Sequence, residues 1–150
     1  MTALKTGDKA PDFTGKDQKG NEISLTSLKG NKVVLYFYPK DDTPGCTAQA
    51  CSLRDNYEAL ISAGYRVIGV SPDSEKSHVK FAEKYDLPFP LLADTDKKIA
   101  NDYGVWGRKK FMGKEYDGVI RTTVIIDAEG VISEVIEKVD TKNHANQILG

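Results

Sequence analysis

No apolar run in this chain approaches the roughly 20 residues that a membrane-crossing helix needs. Excess charge of either sign is also missing. There are 21 basic and 22 acidic residues, net −1, which leaves no electrostatic footprint for a phosphate backbone and argues against nucleic-acid binding. The first residues, MTALKTGDKAPDF, lack the apolar stretch of a signal peptide, so a cytoplasmic protein is expected. Repeats, low-complexity tracts and linker-like composition are absent. The 150 residues therefore read as one domain, 1–150, long enough to bury a core. Histidine is scarce: His78 and His144 do not make up the three or four ligands of a metal site. Cysteine is equally scarce, with only Cys46 and Cys51. In a reducing compartment such a pair is seldom a structural staple.

The sequence does contain the alternation of a mixed α/β domain. Residues 11–25 read as an extended arm around a turn at 16–21. The run 32–38 (KVVLYFY) is continuous and β-branched or aromatic, as in a strand buried on both faces. A helix is expected over 47–63, with Gly64 as its stop, then a strand over 65–70. A polar, exposed helix is expected over 74–85, capped by Ser74 and carrying His78. A short strand at 87–92 and a short helix at 97–103 follow. Residues 104–118, with four glycines and the cluster Arg108-Lys109-Lys110, read as a long loop. Two strands, 120–126 and 131–139, form a hairpin, and a helix over 141–149 closes the chain. Trp106 is expected to anchor the core. The early strands need crossovers and lie parallel, whereas the last pair is antiparallel. The fold class is α/β, a thioredoxin-like mixed sheet flanked by helices, with an N-terminal arm.

The chemistry concentrates in residues 39–51 (PKDDTPGCTAQAC), directly after the buried strand. Thr43 is a good N-cap and Pro44 suits the first helical position. Cys46 then falls in the first helical turn, where unpaired N–H groups and the helix dipole favour thiolate over thiol. Cys51 lies five residues on. On an ideal helix the two Cα atoms are roughly 8 to 9 Å apart, and a disulfide needs less than about 7 Å. The two sulfurs cannot bridge while the helix is intact, which favours a disulfide formed during a reaction cycle. A fixed disulfide, two inert thiols and a metal site are the competing readings. A thioredoxin-type redox pair would have two intervening residues, not four.

Pro39, Thr43 and Cys46 match the Pro-x-x-x-Thr-x-x-Cys motif of peroxiredoxins. The string DTPGCTAQAC resembles the Q-type subfamily, the bacterioferritin comigratory proteins, and GDKAPDF, YGVWG and IRTTVIID extend the likeness over nearly the whole chain. This resemblance implies a thiol peroxidase acting on hydrogen peroxide and organic hydroperoxides. Cys46 would be the peroxidatic cysteine, passing through a sulfenic acid. Thr43 would hydrogen-bond the peroxide, and Pro39 would shield the thiolate. Arg121 would stabilise negative charge on sulfur and oxygen. Cys51 would resolve the sulfenic acid to an intramolecular disulfide. Thioredoxin or a similar dithiol would reduce that disulfide. The resemblance implies a monomer and no metal or organic cofactor. Position 49 is Gln49 where many relatives carry Glu, so an acid that would orient an arginine is replaced by an amide. Two alternatives are a protein disulfide oxidoreductase and a non-enzymatic binding or chaperone-like protein on the same fold. None of Pro11, Pro39, Pro44, Pro72, Pro88 and Pro90 lies next to Arg121, where the oxidoreductase class places a cis-proline.

Overall fold

A computed structural model describes residues 2–150, apart from the side chain of Phe111. Met1 lies outside the described residues. Strand β3 (Lys32–Phe37) is the centre of the sheet. It pairs in parallel with β4 (Tyr65–Ser71), which pairs in parallel with β5 (Leu91–Ala93). On its other side β3 meets β8 (Thr122–Ile126) antiparallel, and β9 (Ile132–Ile136) completes the order β5-β4-β3-β8-β9. The mixed sheet inferred from the crossover pattern is present.

The continuous apolar run of β3 has a physical consequence. Val33, Leu35 and Phe37 enter one core, whereas Val34, Tyr36 and Tyr38 enter the other. Successive side chains of a strand point to opposite faces, so a strand covered on both sides must be apolar throughout. The first core is closed by the N-terminal arm, through Phe13, and by α4 (Lys98–Asp102), through Ile99 and Ala100. The second is closed by α1 (Pro44–Asp55), α2 (Tyr57–Ser62), α3 (Glu75–Tyr85) and α5 (His144–Leu149). Leu53, Leu60, Phe81 and Ile148 are their contributions, and Cys46 belongs to this core. The arm forms a small hairpin, β1 (Thr14–Lys16) with β2 (Glu22–Ser24).

Four sequence expectations change. The single helix over 47–63 starts earlier, at Pro44, and breaks at Asn56, whose side-chain amide donates to the Ser52 carbonyl (2.9 Å). Asparagine competes with the backbone in this way and ends helices. The long loop 104–118 is instead a hairpin, β6 (Trp106–Phe111) and β7 (Lys114–Val119). Its two-residue turn, Met112-Gly113, has φ of +51° and +78°, the handedness that suits the twist of a tight hairpin. The helix over 74–85 is not exposed all round, because His78 and Phe81 are buried. The closing helix starts at His144, after a turn rather than at 141. By contrast, Ser74 caps α3 as expected, accepting from the Ser77 N–H (3.1 Å), and Gly64 has φ +91° after α2. Trp106 is half-buried and packs against the first core.

Candidate active site

Strand β3 delivers the chain to the site. The Tyr38 N–H still donates to the Val70 carbonyl (3.1 Å). Pro39, which lacks a donor, ends the ladder, and a turn over residues 39–43 leads into α1. Thr43 has extended backbone (φ −101°, ψ 156°) at the N-cap position, and Pro44 is the first helical residue. The Thr43 hydroxyl does not cap the helix. It donates back to the Lys40 carbonyl (2.8 Å), while the Thr43 carbonyl accepts from the Thr47 N–H (2.8 Å).

Cys46 sits in the first turn of α1, as the sequence predicts, and is only 1% exposed. Its Sγ accepts from Arg121 Nη2 at 3.3 Å. Arg121 leaves the main chain between β7 and β8, so the facing strand delivers the guanidinium across the helix start. Gly45 permits that approach: a Cβ there would lie 3.2 Å from Arg121 Nη2. The other nitrogen, Nη1, donates to Gln49 Oε1 at 2.6 Å. Gln49 is one turn beyond Cys46 and fully buried, so an amide at this position orients the arginine after all. Its Nε2 has no protein partner. A fixed guanidinium beside a helix N-terminus places two sources of positive potential on one sulfur. That arrangement stabilises negative charge on sulfur and on any oxygen reacting with it.

Cys51 is free, half-buried and on the same helix, and it is not bridged to Cys46. The half-buried Arg54 and the exposed Asp55 follow it on α1. Pro39 is half-buried in the turn before α1. The structure thus brings Cys46 and Arg121 together, with Gln49 added. It places Pro39 and Thr43 on the adjoining turn and leaves Cys51 apart.

Two neighbours escape a sequence reading. Lys109 is half-buried, and its ammonium donates to the Val119 carbonyl (2.8 Å). Burial pulls its pKa down from the usual lysine range, with the Arg121 charge adding to the effect. Arg108 instead faces solvent and pairs with Asp117, so adjacent residues of one basic cluster differ in their surroundings. Tyr36 is fully buried below the site with an unpartnered hydroxyl. Burial first, then negative charge at Cys46 and Asp41, holds its phenol well above the usual range. No sequence signal marks these positions, since each depends on what lies across the sheet.

Among the described residues, one trio of metal-ligand type comes together: Asp41, Asp73 and His78. Protein groups already occupy its atoms. Asp41 accepts from the Tyr38 hydroxyl (2.6 Å) and the Ser77 hydroxyl (2.7 Å), and Asp73 from the Ser71 hydroxyl (2.7 Å) and the Asp41 N–H (2.8 Å). The trio is a hydrogen-bonded network rather than an open ligand set.

A thioredoxin-like fold with a buried cysteine at the helix start after its central strand, contacted by an arginine just ahead of the neighbouring antiparallel strand, defines a class of thiol proteins. This chain belongs to the AhpC/TSA family, whose model matches residues 6–135. It is 50% identical over 148 residues to the putative peroxiredoxin bcp of Coxiella burnetii, covering 99% of this chain and 98% of the relative. It is 48% identical over 149 residues to peroxiredoxin Bcp of Escherichia coli, covering 99% and 96%. A solved structure of the Xanthomonas campestris bacterioferritin comigratory protein, described in connection with that protein's alkyl peroxide reduction activity, matches with a TM-score of 0.87. It is 31% identical, and the match covers 99% of this chain and 95% of that one.

Proposed function

We propose that this protein is a thiol peroxidase that reduces hydrogen peroxide and organic hydroperoxides. The observation that carries the reading is the Arg121 contact to the buried Cys46 sulfur at the start of α1. The Cys46 thiolate attacks one peroxide oxygen. The O–O bond breaks, the second oxygen leaves as water or an alcohol after taking up a proton, and Cys46 becomes a sulfenic acid. Arg121 stabilises the charge that develops on both oxygens. Thr43 hydrogen-bonds the incoming peroxide, exchanging its bond to Lys40, and Pro39 limits water access to the sulfur. Gln49 holds Arg121 in place.

Cys51 then attacks the sulfenic sulfur, an S–S bond forms and water leaves. Since an intact helix separates the pair, the start of α1 unwinds in this step. A dithiol reductant, thioredoxin or a similar protein, restores both thiols by exchange. The resolving thiol is in the same chain, so a monomer completes the cycle. Two free thiols fit a reducing compartment, the cytoplasm. Among the described residues no helix is long and apolar enough to cross a membrane.

The test is the second-order rate of thiol loss on mixing the reduced protein with hydrogen peroxide, with intact mass read at the end. Fast loss ending at a mass lower by two hydrogens, abolished in Cys46→Ser, supports the reading. A rate like that of free cysteine overturns it.

A further inference from the structure

The turn that carries Pro39 and Thr43 is held from behind by a second buried polar cluster. Asp41 lies in the middle of that turn. His78, on α3, is fully buried. Its Nδ1 lies 2.7 Å from Asp41 Oδ2, and its Nε2 lies 3.1 Å from the Leu92 carbonyl of β5. Both ring nitrogens therefore face acceptors. A neutral imidazole carries one N–H and serves one of them. The Asp41 carboxylate is held by two hydroxyl donors as well, from Tyr38 and Ser77. A hydrogen bond to a buried carboxylate is short and directional.

The cluster also fixes the turn's backbone. The Asp41 N–H donates to Asp73 Oδ2 (2.8 Å), which the Ser71 hydroxyl holds in place (2.7 Å). The next residue, Asp42, has φ +57°, a conformation that a non-glycine side chain disfavours. It is tied down by the Lys84 ammonium and the Tyr85 hydroxyl, both at 2.8 Å and both on α3. Apart from the Tyr38 hydroxyl at the end of β3, these tethers lead to α3 or to the segment that follows β4. The segment that must unwind for Cys51 to reach Cys46 begins just beyond, at Thr43.

We propose that His78 is a positioning residue for the Cys46 site: its bond to Asp41 clamps the turn over residues 39–43 against α3, and so holds Thr43, Pro39 and the start of α1 in the geometry that reacts with peroxide. The proposal rests on the peroxidase reading and assigns the clamp to its first step. A loosened clamp shifts the protein toward the unwound arrangement. That arrangement reacts poorly with peroxide but is the one in which the two sulfurs meet. The two steps should therefore respond in opposite directions, which a general loss of stability does not produce.

The experiment measures the two steps separately. Thiol loss in a Cys51→Ser background reads the peroxide step. Quenched-flow alkylation with Cys51 present reads the bridging step. Asp41→Asn keeps the clamp, since its amide can donate to a neutral His78, and the peroxide step should stay within about threefold of the parent. His78→Leu alone strands a buried carboxylate and is made together with Asp41→Asn, which removes the charge. In that double variant the peroxide step should fall about tenfold, the loss of one charge-assisted bond, with bridging unchanged or faster. Ser77→Ala, which removes a single donor to Asp41, should lower the peroxide step by about threefold with bridging unchanged or faster, and keeps the test valid if the double variant does not fold. A parent that reacts like free cysteine overturns the peroxidase reading and the clamp together. A fast parent overturns the clamp alone if the folded double variant and Ser77→Ala react with peroxide at the parent rate, or if both of their steps fall in parallel.

Discussion

Oxidation should make this protein less stable, although it adds a covalent crosslink. With Cys46 and Cys51 on one continuous helix, closing the bridge requires the start of α1 to come apart. Unwinding residues 44–51 removes about five backbone hydrogen bonds, at about 1 kcal/mol net each. It also withdraws the buried Cys46 side chain from the second core, at a cost of about 1 kcal/mol. Against this, a crosslink closing so short a loop constrains the unfolded chain by only about 2 kcal/mol. The balance is a disulfide form less stable by roughly 4 kcal/mol. For a domain of this size that is a fall in Tm of about 8 to 16 °C. The assay compares the reduced protein with protein oxidised by one equivalent of hydrogen peroxide, by calorimetry and by amide exchange. Exchange should accelerate over residues 44–51 and stay slow in β3 and β4. A disulfide form that melts higher than the reduced form, with α1 still protected, would refute the geometric argument.

Three other outcomes are expected. Arg121→Met removes the guanidinium at 3.3 Å from the Cys46 sulfur, and the peroxide rate constant should fall about 100-fold or more, the usual loss for one oxyanion donor; stopped-flow rates check it, and an unchanged rate would remove Arg121 from the mechanism. Burial, with the Arg121 charge adding to it, depresses the pKa of His144, while its bond to Gln147 opposes the shift. The unfolded chain then binds more protons than the folded one, so this contribution is complete above the ordinary histidine value of about 6.5 and fades as pH falls through the depressed folded value. Urea midpoints at pH 5 and pH 7.5 should differ less in His144→Asn than in the parent. Leu35→Ala at the fully buried centre of β3 should lower the unfolding free energy by about 2 to 5 kcal/mol, read from urea titration, with the peroxide rate at 25 °C little changed.

The parts of the fold that were legible in the sequence are those that local physics dictates. A strand covered on both faces must be apolar at every position, and 32–38 is. Ser74 and Gly64 act at helix ends through their own backbone preferences, so they are readable one residue at a time. The hairpin β6–β7 was hidden because its turn pairs Met112 with Gly113 where asparagine or aspartate is usual. Its strands also carry charge on faces that a covered strand would fill with apolar residues. The break at Asn56 was hidden because it turns on one side-chain bond to Ser52. His78 looked like a surface residue because α3 is polar in composition, yet burial is decided by which stripe faces the sheet.

The site divides the same way. Cys46 at a helix start, and the conflict between its spacing to Cys51 and disulfide geometry, follow from helix dimensions alone. Arg121 does not: 75 residues separate it from Cys46, and nothing local distinguishes it from a strand-end arginine. Only the antiparallel pairing of β8 with β3 brings it over the helix. Gln49 shows why substitution patterns mislead without geometry. An acid at that position would share Arg121 with the sulfur and draw off part of its charge, because one guanidinium would then face two anions. The amide accepts the same hydrogen bond at 2.6 Å without a charge of its own, and leaves the full positive field of Arg121 directed at Cys46.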